Sequence, residues 1–276
     1  MDFKLMTSDA AIPSKQTWRE FVAHQSGRLI AAVGSFKSHL VRLERENAID
    51  RIVVRDLAGE EHTVAFDEPA YALGLSGGYE YDTTLTRFVY QSPTTPRQTF
   101  DYDMASRERT CARRRRFPPA TIRPATRRGG STPRRPTAPS SRSPVLMLKG
   151  TPLDGSAPLM LYGYGAYGIP QEASFSIRNF SLVDRGWIWA TAHIRGGSDK
   201  GWGWFLTGGA SRRKIVSPTS SPAPIIWSPR AMGTAGRVAA YGGSAGGLLM
   251  GAIANLRPEL WGAIIAAVPF VDVLTP

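Results

Sequence analysis

The sequence predicts an all-β N-terminal part joined to an α/β layer built on a mostly parallel sheet. Three observations predict it. Short runs rich in Val, Ile and Leu, separated by polar turns, fill residues 29–109. From Pro158 onward, longer apolar runs alternate with a segment of helical spacing. A Gly-rich turn, Gly242 to Gly247, joins one such run to a further helix.

In the first part, Leu29 to Val33, His39 to Leu43, Arg51 to Val54 and His62 to Phe66 read as strands. Turns such as Glu44 to Asn47 and Ala58 to Glu60 separate them. Tyr71 to Leu75, Arg87 to Tyr90 and Gln98 to Tyr102 continue the series. Short strands at nearly regular spacing fit a sandwich, a barrel or propeller blades. A period of about 40 residues suits blades, but two copies do not establish a repeat.

Cys111 to Pro144 is a different kind of sequence: it holds ten arginines, no acid, no lysine and few large apolar residues. Such a stretch buries too little surface to offset its ordering entropy. Residues 111–147 are therefore expected to form an Arg/Pro-rich disordered segment. Residues 209–236 share this character and the same expectation. The charge of the chain sits in these two segments. Removing the ten arginines takes the net charge from +12 to +2, and removing the five basic residues of Ala210 to Arg237 (Arg212, Arg213, Lys214, Arg230 and Arg237) as well leaves about −3. The basicity belongs to two inserts and not to a folded face, which weakens a nucleic-acid-binding reading. The arginines also lack interleaved aromatics, so non-specific, salt-sensitive binding is all such a tract implies.

Pro158 to Tyr162 is an apolar run leading into Gly163-Tyr164-Gly165, as a buried parallel strand does. Phe175 to Asp184 places Phe175, Ile177, Phe180, Leu182 and Val183 at helical spacing, and Gly186 ends it. Trp187 to His193, Arg237 to Tyr241 and Trp261 to Val268 read as further strands, with a helix over Leu248 to Asn255. Strands alternating with helices imply a parallel sheet.

Gly242-Gly243-Ser244-Ala245-Gly246 matches the G-x-S-x-G pattern of a nucleophile elbow, with a strand before it and a small-residue helix after it. A serine on a sharp strand-to-helix turn has strained backbone angles, and side chains two residues to either side collide there, so glycine is demanded. The turn presents the hydroxyl at the carboxyl end of the sheet. It also aims the amide of Ala245 and the start of the next helix at developing negative charge. The competing reading is a Gly-rich turn that only packs closely or cradles a phosphate; the strand and helix on either side favour the elbow.

Tyr162-Gly-Tyr-Gly-Ala-Tyr-Gly168, Asp184-Arg-Gly186, His193-Ile-Arg-Gly-Gly197, Gly242-Gly-Ser-Ala-Gly-Gly247 and Arg257-Pro-Glu-Leu260 follow one another in that order. Together they resemble the prolyl oligopeptidase family of serine peptidases, and its oligopeptidase B branch in particular. Val268-Pro-Phe-Val-Asp-Val273, Leu40-Val-Arg-Leu-Glu-Arg-Glu46 and Leu73-Gly-Leu-Ser-Gly-Gly78 favour that branch. The resemblance implies an α/β-hydrolase domain (148–276, in part) preceded by β-propeller blades (1–110, in part). It makes Ser244 the nucleophile, and the Ala245 amide with the Tyr164 hydroxyl the oxyanion hole. Tyr167 would line the S1 region, and Glu172 would lie near acidic groups that bind basic side chains. Packing alone is the other reading of Tyr164 and Tyr167. The implied substrates are short peptides cleaved after Lys or Arg. An esterase or an acyl-aminoacyl peptidase of the same fold is the alternative. No cofactor or metal is implied.

An elbow serine needs a histidine to take its proton and a carboxylate to orient that histidine. In α/β-hydrolases both follow the serine in the chain. Here His24, His39, His62 and His193 all precede Ser244, and the acids after it are Glu259 and Asp272. Glu259 is expected on the surface, and Asp272 at a structural position. His193, at the end of a strand, is expected to be a packed residue and not a base. The chain therefore reads as lacking the triad Asp and His and as inactive alone, with a sheet ending on an exposed apolar edge. Both basic segments leave and rejoin the family pattern abruptly, as a GC-rich gene read out of frame does, so a frameshifted, incomplete copy is expected.

The 276 residues, 42% of them hydrophobic, suffice for one large domain or two modest ones. No run of about 18 apolar residues suggests a membrane span. Met1 to Ala11 carries no secretory pattern. Cys111 is the only cysteine, so no intramolecular disulfide forms, and a cytoplasmic setting is expected.

Overall fold

The computed structural model describes residues 2–78, 80–115, 126–131, 143–208 and 233–272. Strands β1 (Leu5–Thr7) and β2 (Arg19–Val22) form an antiparallel ribbon. Strands β3 (Arg28–Ser35), β4 (His39–Glu46), β5 (Ile49–Asp56) and β6 (Glu61–Thr63) form one antiparallel meander. Strands β7 (Ala72–Ser76), β8 (Leu85–Gln91), β9 (Gln98–Asp103) and β10 (Arg109–Arg114) form a second. Two four-stranded meanders stacked face to face are two propeller blades. Alternation of apolar and polar residues supplies the inner faces: Val41, Leu43, Ile52 and Val54 of the first meet Leu73, Phe88, Tyr90 and Tyr102 of the second in one buried cluster.

The α/β part holds β11 (Thr126–Ser131), β12 (Ser143–Leu148), β13 (Leu159–Gly163), β14 (Ile188–Ala192), β15 (Val238–Gly243) and β16 (Trp261–Ala267). They lie in the order β11-β12-β14-β13-β15-β16, with β14, β13, β15 and β16 parallel and β11 and β12 antiparallel to their neighbours. Helix α1 (Ile177–Val183) packs Phe180 and Val183 on Leu146 and Trp189. Helix α3 (Ala245–Leu256) packs Met250 and Ile253 on Ala240 and Ile264. Trp189 pairs with Met160 and Met160 with Ala239, the neighbour of Ala240, so strand alternation puts α1 and α3 on opposite faces. A shorter helix, α2 (Trp202–Gly208), follows the loop after β14.

The strands read from periodicity occur within a few residues of their expected ends. Within 111–147, expected to be disordered, the described residues include strand at 111–114, 126–131 and 143–147. Strand β10 runs to Arg114 with every side chain exposed, because an edge strand needs only backbone partners, which β9 supplies. Strand β11 pairs along β12 through Ser131. β12 begins at Ser143 and buries Val145, Leu146 and Met147, so the α/β sheet starts before 148. Composition averaged over the whole stretch hid these three apolar residues. Residues 116–125, 132–142 and 209–232 lie outside the described residues. At the far edge of the sheet, β16 leaves Ile265 exposed, and Val268, Phe270 and Val271 beyond it are exposed too.

The β4–β5 hairpin ties the two parts together. Its two-residue turn, Asn47-Ala48, has both φ angles positive (50° and 63°), as a primed hairpin turn requires. Ala48 N–H donates to the Asp199 carbonyl at 2.7 Å. Arg45 donates through Nε to Asp50 Oδ1 (2.8 Å) and through Nη2 to Glu172 Oε1 (3.0 Å). The other Asp50 oxygen accepts from Leu73 N–H at 3.1 Å, reaching the second blade. The Asp2 carboxylate accepts from Gly27 N–H at 2.8 Å and from Trp202 N–H at the start of α2.

Asp50→Ala strips Arg45 and Leu73 of one buried acceptor. It is expected to lower unfolding stability by about 3 kcal/mol in urea titration, with Asp50→Asn costing less because it still accepts from Leu73. A second expectation concerns pH. Glu61 is held below its usual 4.5 chiefly by the Arg42 hydrogen bond. A depressed carboxyl stabilises the fold above its unfolded pKa and loses that contribution as pH falls through the folded one. Glu61→Gln is therefore expected to cost about 1 kcal/mol at neutral pH, a gap that closes on acidification below 4.5.

Candidate active site

Ser244 stands between β15 and α3 with φ 55° and ψ −119°, a conformation that side chains rarely adopt. Backbone bonds on both sides fix it. Its N–H donates to Ala267 O at 3.0 Å, and its carbonyl accepts from Gly247 N–H (2.9 Å), Leu248 N–H (3.2 Å) and Phe270 N–H (3.1 Å). The side chain is exposed, while Ala245, at the first turn of α3, is buried.

The elbow glycines have measurable reasons. A Cβ on Gly242 would lie 2.4 Å from Gly246 O and 2.9 Å from Gly163 O. One on Gly246 would lie 2.7 Å from Gly163 O and 3.3 Å from both the Tyr164 Cα and its ring. The second clash shows what the motif does beyond the turn: it lets the β13–α1 loop lie against the elbow, with Tyr164 in contact. Two further close approaches shape that loop. Gly196 would place a Cβ 2.2 Å from Gly165 O, and Gly168 N–H donates to Gly196 O at 2.8 Å. Tyr167 has φ 57° and is exposed, so the loop presents its ring to solvent and not to a core.

Glu172 lies further along the same loop, facing the propeller part. Burial, then the negative charge of Asp50, push its carboxyl above the usual range, against the pull of Arg45. A cavity of about 240 Å³ opens between Glu172 and β7. His193 is 5% exposed, and its Nδ1 pairs with Asp199 Oδ1 at 2.8 Å. The same Asp199 oxygen accepts from Gln171 N–H at 2.7 Å, so the pair pins the loop carrying Glu172. Among the described residues no histidine hydrogen-bonds the Ser244 hydroxyl. His39 meets Ser38 and His62 meets Tyr102, both in the propeller part. Glu259 lies on the surface, its carboxyl pulled below the usual range by the Arg257 hydrogen bond. Asp272 lies exposed past β16. Among the described residues no group of His, Cys, Asp and Glu has the geometry of a metal site, and no helix is long and apolar enough to cross a membrane. Arg45 and Asp199 were not among the candidate residues that local patterns mark. The Gly-Gly-Ser-Asp run at 196–199 was the available signal for Asp199, a turn acid after a buried strand.

A propeller-type β part, a parallel sheet and a strained serine between strand and helix define a protein with the architecture of a propeller-bearing serine hydrolase. Comparison with known proteins is specific about which. The model of the prolyl oligopeptidase N-terminal β-propeller domain matches residues 1–115, and that of the prolyl oligopeptidase family matches residues 173–276. The chain belongs to the prolyl oligopeptidase family of serine peptidases. It is 34% identical over 274 residues to dipeptidyl aminopeptidase BI of Pseudoxanthomonas mexicana, covering 99% of this chain and 38% of that protein. It is 32% identical to protease 2 of Moraxella lacunata, covering 92% of this chain and 37% of that one. Oligopeptidase B of Leishmania major superposes with a TM-score of 0.84 at 28% identity, over 98% of this chain and 39% of that one. Oligopeptidase B of Trypanosoma brucei, solved in closed form with covalently bound antipain, gives 0.79 at 29% identity, over 96% and 38%. The chain thus spans well under half the length of the relatives it matches.

The glycines give a paired test. Gly242→Ala, whose methyl meets backbone, is expected to cost about 2–3 kcal/mol in thermal unfolding. Gly251→Ala, in α3 with nothing within 4 Å of the added carbon, is expected to be neutral or to stabilise by about 0.5–1 kcal/mol. Equal effects would mean that the elbow packing is not as described.

Proposed function

We propose that Ser244 is the nucleophile of an oligopeptidase B-type serine peptidase, which cleaves short peptides after basic residues through an acyl-enzyme. The observation that carries this reading is the strained Ser244, with the Tyr164 loop packed onto Gly246. In this scheme Ser244 Oγ attacks the scissile carbonyl. The Ala245 amide and the Tyr164 hydroxyl receive the oxyanion. The C–N bond breaks as a base supplied from outside this chain passes the Oγ proton to the leaving amine, and water then hydrolyses the acyl ester and frees Ser244. Tyr167 flanks the side chain of the residue cleaved. Glu172, an acid held in a partly buried setting, attracts basic side chains. Substrate preference rests on the oligopeptidase B relatives and on Glu172. We further propose that this chain alone does not activate Ser244: His193 is buried against Asp199, and the other three histidines lie in the propeller part.

A fluorophosphonate probe tests both statements. The chain alone is expected to label no more than its Ser244→Ala variant. Added imidazole, a diffusible base, is expected to restore labelling that depends on Ser244 and falls roughly 100-fold in Tyr164→Phe, as loss of one oxyanion donor implies. Labelling without imidazole would refute the missing base, and labelling indifferent to Ser244 would refute the nucleophile.

A further inference from the structure

We propose that the free edge of β7 docks extended peptide main chain, which joins the β7–β10 sheet as a fifth strand in the cavity between that sheet and Glu172. This deepens the peptidase reading above and rests on it. β7 is terminal in the order β10-β9-β8-β7, so among the described residues one side of its backbone has no strand partner. In an antiparallel pair, residues alternate between exchanging bonds with the partner and pointing their N–H and C=O away from it. Leu73 N–H donates to Asp50 and so points away from β8. Two residues on, the N–H and C=O of Leu75 point the same way, while Ala72, Gly74 and Ser76 bond to β8. Leu75 makes no hydrogen bond to other described residues on that edge.

The cavity of about 240 Å³ follows the whole strand, Ala72 to Ser76, and is completed by Val89, Gln91, Arg97 and Glu172. Gly74 widens it, since a Cβ there meets nothing within 4 Å. Sheets ordinarily guard an exposed edge with Pro, Lys or a bulge. β7 reads Ala-Leu-Gly-Leu-Ser and pairs with β8 in unbroken register. Its single guard is the Asp50 carboxylate, which occupies Leu73 and leaves Leu75 open. Five strand residues span about 17 Å, enough for a ligand of roughly four to six residues. Main-chain bonds to such an edge give affinity, and flanking side chains give selectivity. Here the flanking groups are one acid, Glu172, on the loop that carries Tyr164 and Tyr167, and one base, Arg97, ahead of β9. That pairing suits a peptide with a basic side chain and a nearby carboxylate.

The test is calorimetric titration of the full chain with a blocked hexapeptide containing one arginine and a nearby glutamate, and with two analogues N-methylated on alternate amides. Only every second amide of an added strand faces the sheet. One analogue is therefore expected to bind roughly tenfold more weakly than the parent and the other as well as the parent. Leu75→Pro removes the outward N–H without touching a ladder bond, and is expected to weaken the parent peptide roughly tenfold. Gly251→Ala, in α3 and not part of the cavity lining, is expected to leave it unchanged. The analogues carry the test should Leu75→Pro fail to fold. Equal affinity of both analogues overturns the edge site while leaving the peptide reading in place. Absence of binding by all three peptides overturns the peptide reading and the edge site with it. A concentration-dependent dimer abolished by Leu75→Pro also overturns the proposal, assigning the edge to a second copy of this chain.

Discussion

The left-handed backbone of Ser244 is the constraint on which the α/β part is arranged. A non-glycine residue at φ 55° and ψ −119° costs of the order of 1–3 kcal/mol and persists only where its surroundings over-determine it. Four backbone bonds do so here. Two reach forward, to Ala267 at the end of β16 and to Phe270 beyond it, and two reach into the first turn of α3. The turn can form only if Gly242, Gly246 and Gly163 let three backbones meet at less than side-chain distance. The parallel sheet is thereby more than a scaffold. Its β13–β15–β16 register is what brings Gly163, Gly242 and Ala266 to one level, with Gly243 beside Ala267.

The same close approach explains how the Tyr164 loop is placed. It packs on the elbow through Gly246 and on the 194–197 loop through Gly165 and Gly196. Its far end is held by Asp199, which takes Gln171 N–H and His193 on one oxygen and presents its own carbonyl to Ala48 of the propeller part. Arg45 adds a second link across the boundary, shared between Asp50 and Glu172. One guanidinium thus serves two carboxylates, and burial, then the charge of Asp50, hold the Glu172 carboxyl above its usual range against the pull of Arg45.

Periodicity and turn chemistry carried the strands of both parts, because alternation and apolar runs are local properties written every few residues. The elbow was legible for a stricter reason: its geometry excludes every side chain at two fixed positions, so the glycines must appear in the sequence. What stayed hidden lies at long range. Arg45 meets Glu172 across 127 residues and Asp2 meets Trp202 across 200, and no local pattern encodes such pairs. β10 and β11 were hidden for a different reason. An edge strand is held by its neighbour's backbone, so Arg-rich text without apolar faces still forms one.

Positioning and activation of the serine are separable here. Everything that sets Ser244 in place lies within β13, β15, β16, α3 and the loops between them, and it is built from backbone bonds and glycine clearances. None of that lowers the cost of removing the hydroxyl proton, which needs a base in hydrogen-bond reach. His193 is the one histidine in the α/β part, and its Nδ1 is bonded to Asp199, where it steadies the loop leading to Glu172. A carboxylate on Nδ1 leaves Nε2 able to accept a proton, so that pairing does not disqualify a base. Place does: among the described residues no histidine hydrogen-bonds the Ser244 hydroxyl.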